Sequence, residues 1–260
     1  HLSEAERANF VKTLETKRHT FKEIIAKTNS SVAEERILER IERQLHFVLE
    51  RLYIRFHDMF SEHFNPTTIT ASGREAIKQL EANRTKFIDY VGYELLQEVR
   101  AVSLRVEANI YELTKDTFNE IQSQIEKIDE NFILPSLQTQ ELKTPNYEQA
   151  FTIIDYSIFS HVLKIFKNTR SFFEQNEREK MKEAFYDTLK PEAKQYLDTQ
   201  KEIMDSVYIA QWNDALQNIK TRIESEIDQM IEQHIKVVTD TVNLAQLKEK
   251  HEILTAILEK

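Results

Sequence analysis

An all-α fold, an elongated helical bundle with a long antiparallel hairpin and a small helical tip, is what three observations predict. Only 2 Gly and 4 Pro punctuate 260 residues, so turns are few and the elements between them are long. Ala, Leu, Glu, Lys and Gln dominate, and these residues lose little freedom in a helix. Apolar residues recur at intervals of three and four over stretches of dozens of residues, the spacing of one helix face.

The first segment covers residues 3 to 27. Ser3 followed by Glu6 forms a capping-box pattern, and Phe10, Leu14, Phe21 and Ile25 share a face. The polar run Thr28-Asn29-Ser30-Ser31 ends it, with Ser31 placed to cap the next helix. The second segment runs from about Val32 to Phe64 on a stripe from Ile37 to Met59, and Asn65-Pro66 stops it. Its last turns carry Phe56, Met59, Phe60 and Phe64, which read either as bundle core or as a secondary membrane contact.

The third segment extends from about Ser72 to Glu130, roughly 90 Å at 1.5 Å per residue. Gly92 is its one interior glycine and marks a kink, a tight crossing or an ordinary surface position. Pro135 and Pro145 then bracket a polar connector, and residues 174 to 189 turn the chain back. Pro191 suits the first turn of a return helix that continues to about Glu259. The expected organisation is 1–134 ascending trunk, 135–190 connector and paddle-like tip, and 191–260 return helix, with the two arms paired antiparallel.

Composition excludes several classes of function. There is no Cys, hence no disulfide scaffold, and a reducing compartment is compatible with that. The 44 acids outnumber the 35 Lys and Arg, which argues against general nucleic-acid binding. No run approaches the ~20 apolar residues of a membrane-spanning helix. No P-loop and no Gly-Xaa-Ser-Xaa-Gly elbow is present. The eight His are dispersed, and none follows a Glu at three residues as in di-iron bundles. This piece of chain is expected to hold no catalytic residue, metal or cofactor. It begins with His rather than Met, which reads as a tag remnant on a piece of a longer protein.

The stretch Phe151 to Phe173 stands apart. Within residues 161 to 173 there is no acid, although the whole chain carries a net charge of -9. Apolar Ile158, Phe159, Val162, Ile165, Phe166, Phe172 and Phe173 are threaded by Lys164, Lys167 and Arg170. An apolar face with adjacent cations is what shallow insertion into an anionic bilayer needs, and each cation adds ~1 kcal/mol there. Three cations give weak attachment per copy, which favours an oligomer. The competing reading packs these rings within a small helical subdomain.

Two stretches resemble the stalk of the bacterial dynamin-like proteins: RQLHFVLERLYIRFHDMFSEHFNP (Arg43 to Pro66) and ELLQEVRAVSLRVEANI (Glu94 to Ile110). The stretch Ile165 to Leu189 is similar to their tip region. The resemblance implies a helical trunk and membrane paddle whose GTPase domain lies elsewhere in a parent chain. GTP and magnesium would belong to that full-length protein. It further implies a homo-oligomer, contact with anionic membrane lipid, and a cytoplasmic position on the inner face of the cell membrane. The trunk would serve membrane remodelling, tethering or fusion. Ile165, Phe166, Lys167, Phe172 and Phe173 would then be paddle residues, with Arg100 and Arg105 supporting stalk contacts or an internal salt bridge. The alternative is a soluble coiled-coil-like scaffold that binds protein partners through the same tip and has no membrane role.

Overall fold

The computed structural model describes residues 3–69, 73–148 and 174–258. Among them the chain is an all-α bundle of four helices: α1 (Glu4–Lys27), α2 (Ser31–His63), α3 (Gly73–Glu126) and α4 (Gln175–Leu258). A 3-10 turn, Pro66–Thr68, lies between α2 and α3. The predicted tip, residues 151 to 173, falls outside the described residues.

Local chemistry sets the helix ends. At the start of α1 the Ser3 hydroxyl accepts from the Glu6 amide, and the Glu6 carboxylate accepts from the Ser3 amide at 2.7 Å. Ser31 is not the cap of α2. The Asn29 side chain accepts from the Ser31 amide at 2.9 Å, so Ser31 already lies in the first turn. Asn65 caps the 3-10 turn by accepting from the Thr67 amide at 3.0 Å. Gly92 is buried within an unbroken α3. Pro191, expected to open the return helix, instead lies inside α4, which begins at Gln175.

The chain divides into two compact units. The first comprises His1–Val32, Tyr111–Gln140 and Trp212–Lys260. Here α1 and the later parts of α3 and α4 share a core that includes Phe21, Ile25, Ile121, Ile125, Ile223 and Ile227. Helix α1 runs antiparallel to α4: Lys22 meets Asp228 at 2.8 Å, and the Lys220 ammonium donates to the Thr28 carbonyl at 2.7 Å. Lys17 reaches Asp129, just beyond α3, at 2.7 Å.

The second unit comprises Ala33–Ile110 and Glu141–Gln211. Helix α2 runs antiparallel to α3, with Arg55 on Glu94 and Arg105 on Gln44, each at 2.9 Å. It is antiparallel to α4 as well, since the Tyr53 ring faces Lys190 while Phe64 packs on Phe185. An aromatic core closes this unit. Phe56, Phe60, Phe64, Phe87 and Phe185 are all buried, with ring centroids 4.6 to 6.1 Å apart among contacting pairs. Burying each ring stabilises the fold by ~1.5–3 kcal/mol.

The predicted antiparallel pairing of the third segment with the return helix is overturned. In the second unit α3 and α4 run parallel: Phe87 packs on Phe185, and Tyr208 donates to Glu107, twenty residues further along α3. The reason is the connector. Beyond α3 the chain returns as an extended strap, which reverses direction without a helix. In the first unit the Leu134 amide donates to Gln122 of α3, while Arg222 and Asn218 of α4 meet Ser136 and Gln140. In the second unit Thr144 bonds Glu107 and Tyr147 bonds Ser103, so rising strap numbers meet falling α3 numbers. Helix α4 therefore runs in the same direction as α3.

Candidate functional site

Two features of the second unit bring polar chemistry to a defined surface. One is an open groove between α2 and α4. Leu45 and Leu197 form its buried floor, with Leu49 half-buried beside them. Polar and charged residues line its walls: Glu39, Glu42, Arg43 and His46 from α2, and Lys194, Asp198 and Lys201 from α4. The groove encloses about 530 Å³. Several wall charges are braced along their own helices, His46 on Glu50 at 3.1 Å, Lys194 on Asp198 at 2.5 Å and Lys201 on Asp205 at 2.6 Å. The hydrogen bond that the Lys201 ammonium donates to Asp205 holds its pKa above the ordinary value. An apolar floor between braced charged walls is the shape that receives the apolar face of a helix.

The other feature is the strap over α3 and α4. Gln211 of α4 reads one residue of the strap twice: its Oε1 accepts from the Lys143 amide at 2.6 Å, and its Nε2 donates to the Lys143 carbonyl at 2.9 Å. The Thr144 hydroxyl and the Tyr208 phenol both donate to Glu107 Oε1, each at 2.7 Å. Tyr147 inserts its ring and shares a 2.6 Å hydrogen bond with the Ser103 hydroxyl, both residues being buried. Tyr196 donates to the Glu148 carbonyl at 2.8 Å.

Burial pushes the phenols of Tyr147 and Tyr208 up from their ordinary value. The same cause pushes Tyr196 up to about 12, opposed by the charge of Arg100 nearby. Proline at 145 suits this extended backbone, because the residue before a proline is driven out of the helical region. The network holds groups that bind and position. Its phenols and its hydroxyls are all engaged with the chain itself.

Of the residues singled out from sequence, Arg100 and Arg105 lie on α3. Arg105 donates to Gln44, a neutral partner within the same unit, and Arg100 is exposed beside Tyr196. The ten residues expected to bind membrane, Ile158, Phe159, Val162, Lys164, Ile165, Phe166, Lys167, Arg170, Phe172 and Phe173, fall outside the described residues. Sequence reasoning missed the strap, reading residues 138 to 149 as a polar connector. The available signal was Tyr147, an aromatic two residues beyond a proline in an otherwise polar run.

No protein-family model matches the chain, and no curated protein does. Among solved structures it is similar to a computationally designed three-helix bundle at 13% identity, covering 92% of this chain and 99% of that one, with a TM-score of 0.26. A likeness at that score carries no argument about fold or function.

The expected role as the membrane-binding stalk of a dynamin-like GTPase is corrected by these findings. Among the described residues no helix is long and apolar enough to cross a membrane. Of the two readings of Phe56, Met59, Phe60 and Phe64, bundle core is the one that holds: they are at most 4% exposed, and the membrane-contact reading falls. With no matching family model or curated protein, membrane remodelling, fusion, GTP binding and hydrolysis have no support in this chain.

Proposed function

We propose that this chain is a helical scaffold that binds a protein partner, receiving an amphipathic helix in the groove between α2 and α4. The observation that carries this reading is the groove itself, with its floor of Leu45, Leu49 and Leu197 between charged walls. Such a surface binds by laying an apolar helix stripe on the leucines while the charged walls select the partner's polar flanks. Both walls carry mixed charge, Glu39, Glu42 and Arg43 on α2 and Lys194, Asp198 and Lys201 on α4, so the partner's flanks carry both signs as well.

The test is a photo-reactive amino acid at Leu49, with the same label at Glu81, an exposed position of α3, as the control. Irradiation in cells that make the full chain should give one discrete protein adduct from Leu49 and none from Glu81. A second copy of this chain in the adduct would identify the partner as itself. Equal labelling at both positions, or none at Leu49, would overturn the reading.

A further inference from the structure

The strap in the second unit is held as a ligand is held. Its backbone hydrogen bonds in residues 143 to 148 go to side chains: Gln211 takes both polar groups of Lys143, and Tyr196 takes the Glu148 carbonyl. Recognition of backbone through a side-chain amide is independent of the side chain being read, and Lys143 itself is exposed. Specificity comes from two positions. Glu107 accepts from the hydroxyl of Thr144, and the Ser103 hydroxyl shares a hydrogen bond with the phenol of the buried Tyr147. Pro145 between them keeps the segment extended. Among residues 141 to 148 only Tyr147 is buried, and only Leu142 and Pro145 are half-buried. So little apolar anchoring places this segment at the low end of local stability.

We propose that the α3–α4 face of the second unit is a binding groove for extended peptides, and that residues 141 to 148 occupy it as a displaceable internal ligand. The occupant it fits is an extended segment with a hydroxyl residue, a proline, one free position and then a tyrosine, as in Thr144-Pro145-Asn146-Tyr147. In the intact chain the strap competes at an effective concentration of ~mM, as a tethered ligand does, so an outside peptide meets a closed groove. A partner that brings such a segment enters when the strap lifts. This groove is distinct from the one between α2 and α4, and the proposal stands without that reading.

The experiment uses the full chain and a fluorescent synthetic peptide of residues 141 to 148, with a scrambled peptide as control. Hydrogen exchange on the unaltered chain comes first: strap amides should exchange at least tenfold faster than the amides of α3 from Val99 to Ile110. Equal protection would overturn the idea of a displaceable strap. Tyr147→Ser then withdraws the ring. Lys143→Pro, which removes the amide that Gln211 accepts while leaving the ring in place, serves if the first variant fails to fold. Either variant should bind the peptide, the unaltered chain should not, and adding Gln211→Ala should weaken binding at least tenfold. A helical variant that binds neither peptide, or binds both equally, would refute the groove.

Discussion

Tyr196, Tyr147 and Tyr208 show how single residues decide the character of the second unit. Tyr147 and Tyr208 are buried and Tyr196 is half-buried, and the three phenols are engaged by Ser103, Glu107 and Glu148 respectively. A buried phenol with a partner resists ionisation, because the phenolate would lose solvation that the site does not replace. For Tyr196 the folded value is about 12 against the ordinary 10.0. A group whose folded pKa is raised contributes stability fully present below its unfolded value and lost as pH rises through the folded one. The second unit should therefore hold its stability up to about pH 10 and lose it progressively toward pH 12. Urea midpoints measured across that window should fall more gently for Tyr196→Phe than for the unaltered chain. Parallel alkaline slopes would show that Tyr196 ionises as freely folded as unfolded.

At the scale of elements, helix existence was legible and its exceptions were physical. The ends of α1 and α2 fall within a residue or so of the predicted limits, since the Ser3–Glu6 pair and the Asn29 and Asn65 side chains act through local bonds. Pro191 misled because a proline that suits a first turn is also tolerated inside a helix held by tertiary packing. The strap was illegible because much of its backbone is satisfied by side chains far away in sequence, such as Gln211, 68 positions on, for Lys143 and Tyr196, 48 positions on, for Glu148. No periodicity within the segment encodes that.

The aromatic end of α2 read either as bundle core or as a membrane contact, and it is core; the sequence of α2 alone does not decide between them, because burial depends on what faces it. Phe87 and Phe185, from two other helices, are what cover it. This difference has a measurable consequence. Phe60→Ala should cost about 3–5 kcal/mol of unfolding free energy, the range for a buried aromatic ring. Chemical denaturation followed by circular dichroism reads it. A cost within ~0.5 kcal/mol, typical of surface substitutions, would mean that the ring lies at the surface after all.

On the scale of the whole molecule, both units obey one rule: three helical segments pack together, and an extended strap takes the return path. That rule sets the direction of α4. A turn directly from α3 into α4 would have made the pair antiparallel. An extended return lets α3 and α4 run parallel, while α2 opposes both in the second unit. A strap of extended backbone has no ladder of its own for its amides and carbonyls, and glutamine and tyrosine side chains of α3 and α4 supply partners for several of them.

The parallel arrangement predicts a short distance that an antiparallel hairpin forbids. Lys86 and Glu183 are exposed and sit next to Phe87 and Phe185, whose rings are 5.7 Å apart. Spin labels at Lys86→Cys and Glu183→Cys, in a chain with no other cysteine, should therefore lie within about 25 Å of each other, allowing two helix radii and label length. In an antiparallel pair closed around residues 151 to 173, Lys86 would instead face the region near residue 235. Its separation from Glu183 would then be on the order of 80 Å at 1.5 Å per residue. Pulsed dipolar spectroscopy resolves the two cases in one measurement. The same pair in Phe60→Ala tells whether the aromatic core fixes the direction of α4 or only tightens it. An unchanged short distance in that destabilised variant would assign direction to the strap, and a broadened one would assign it to the core.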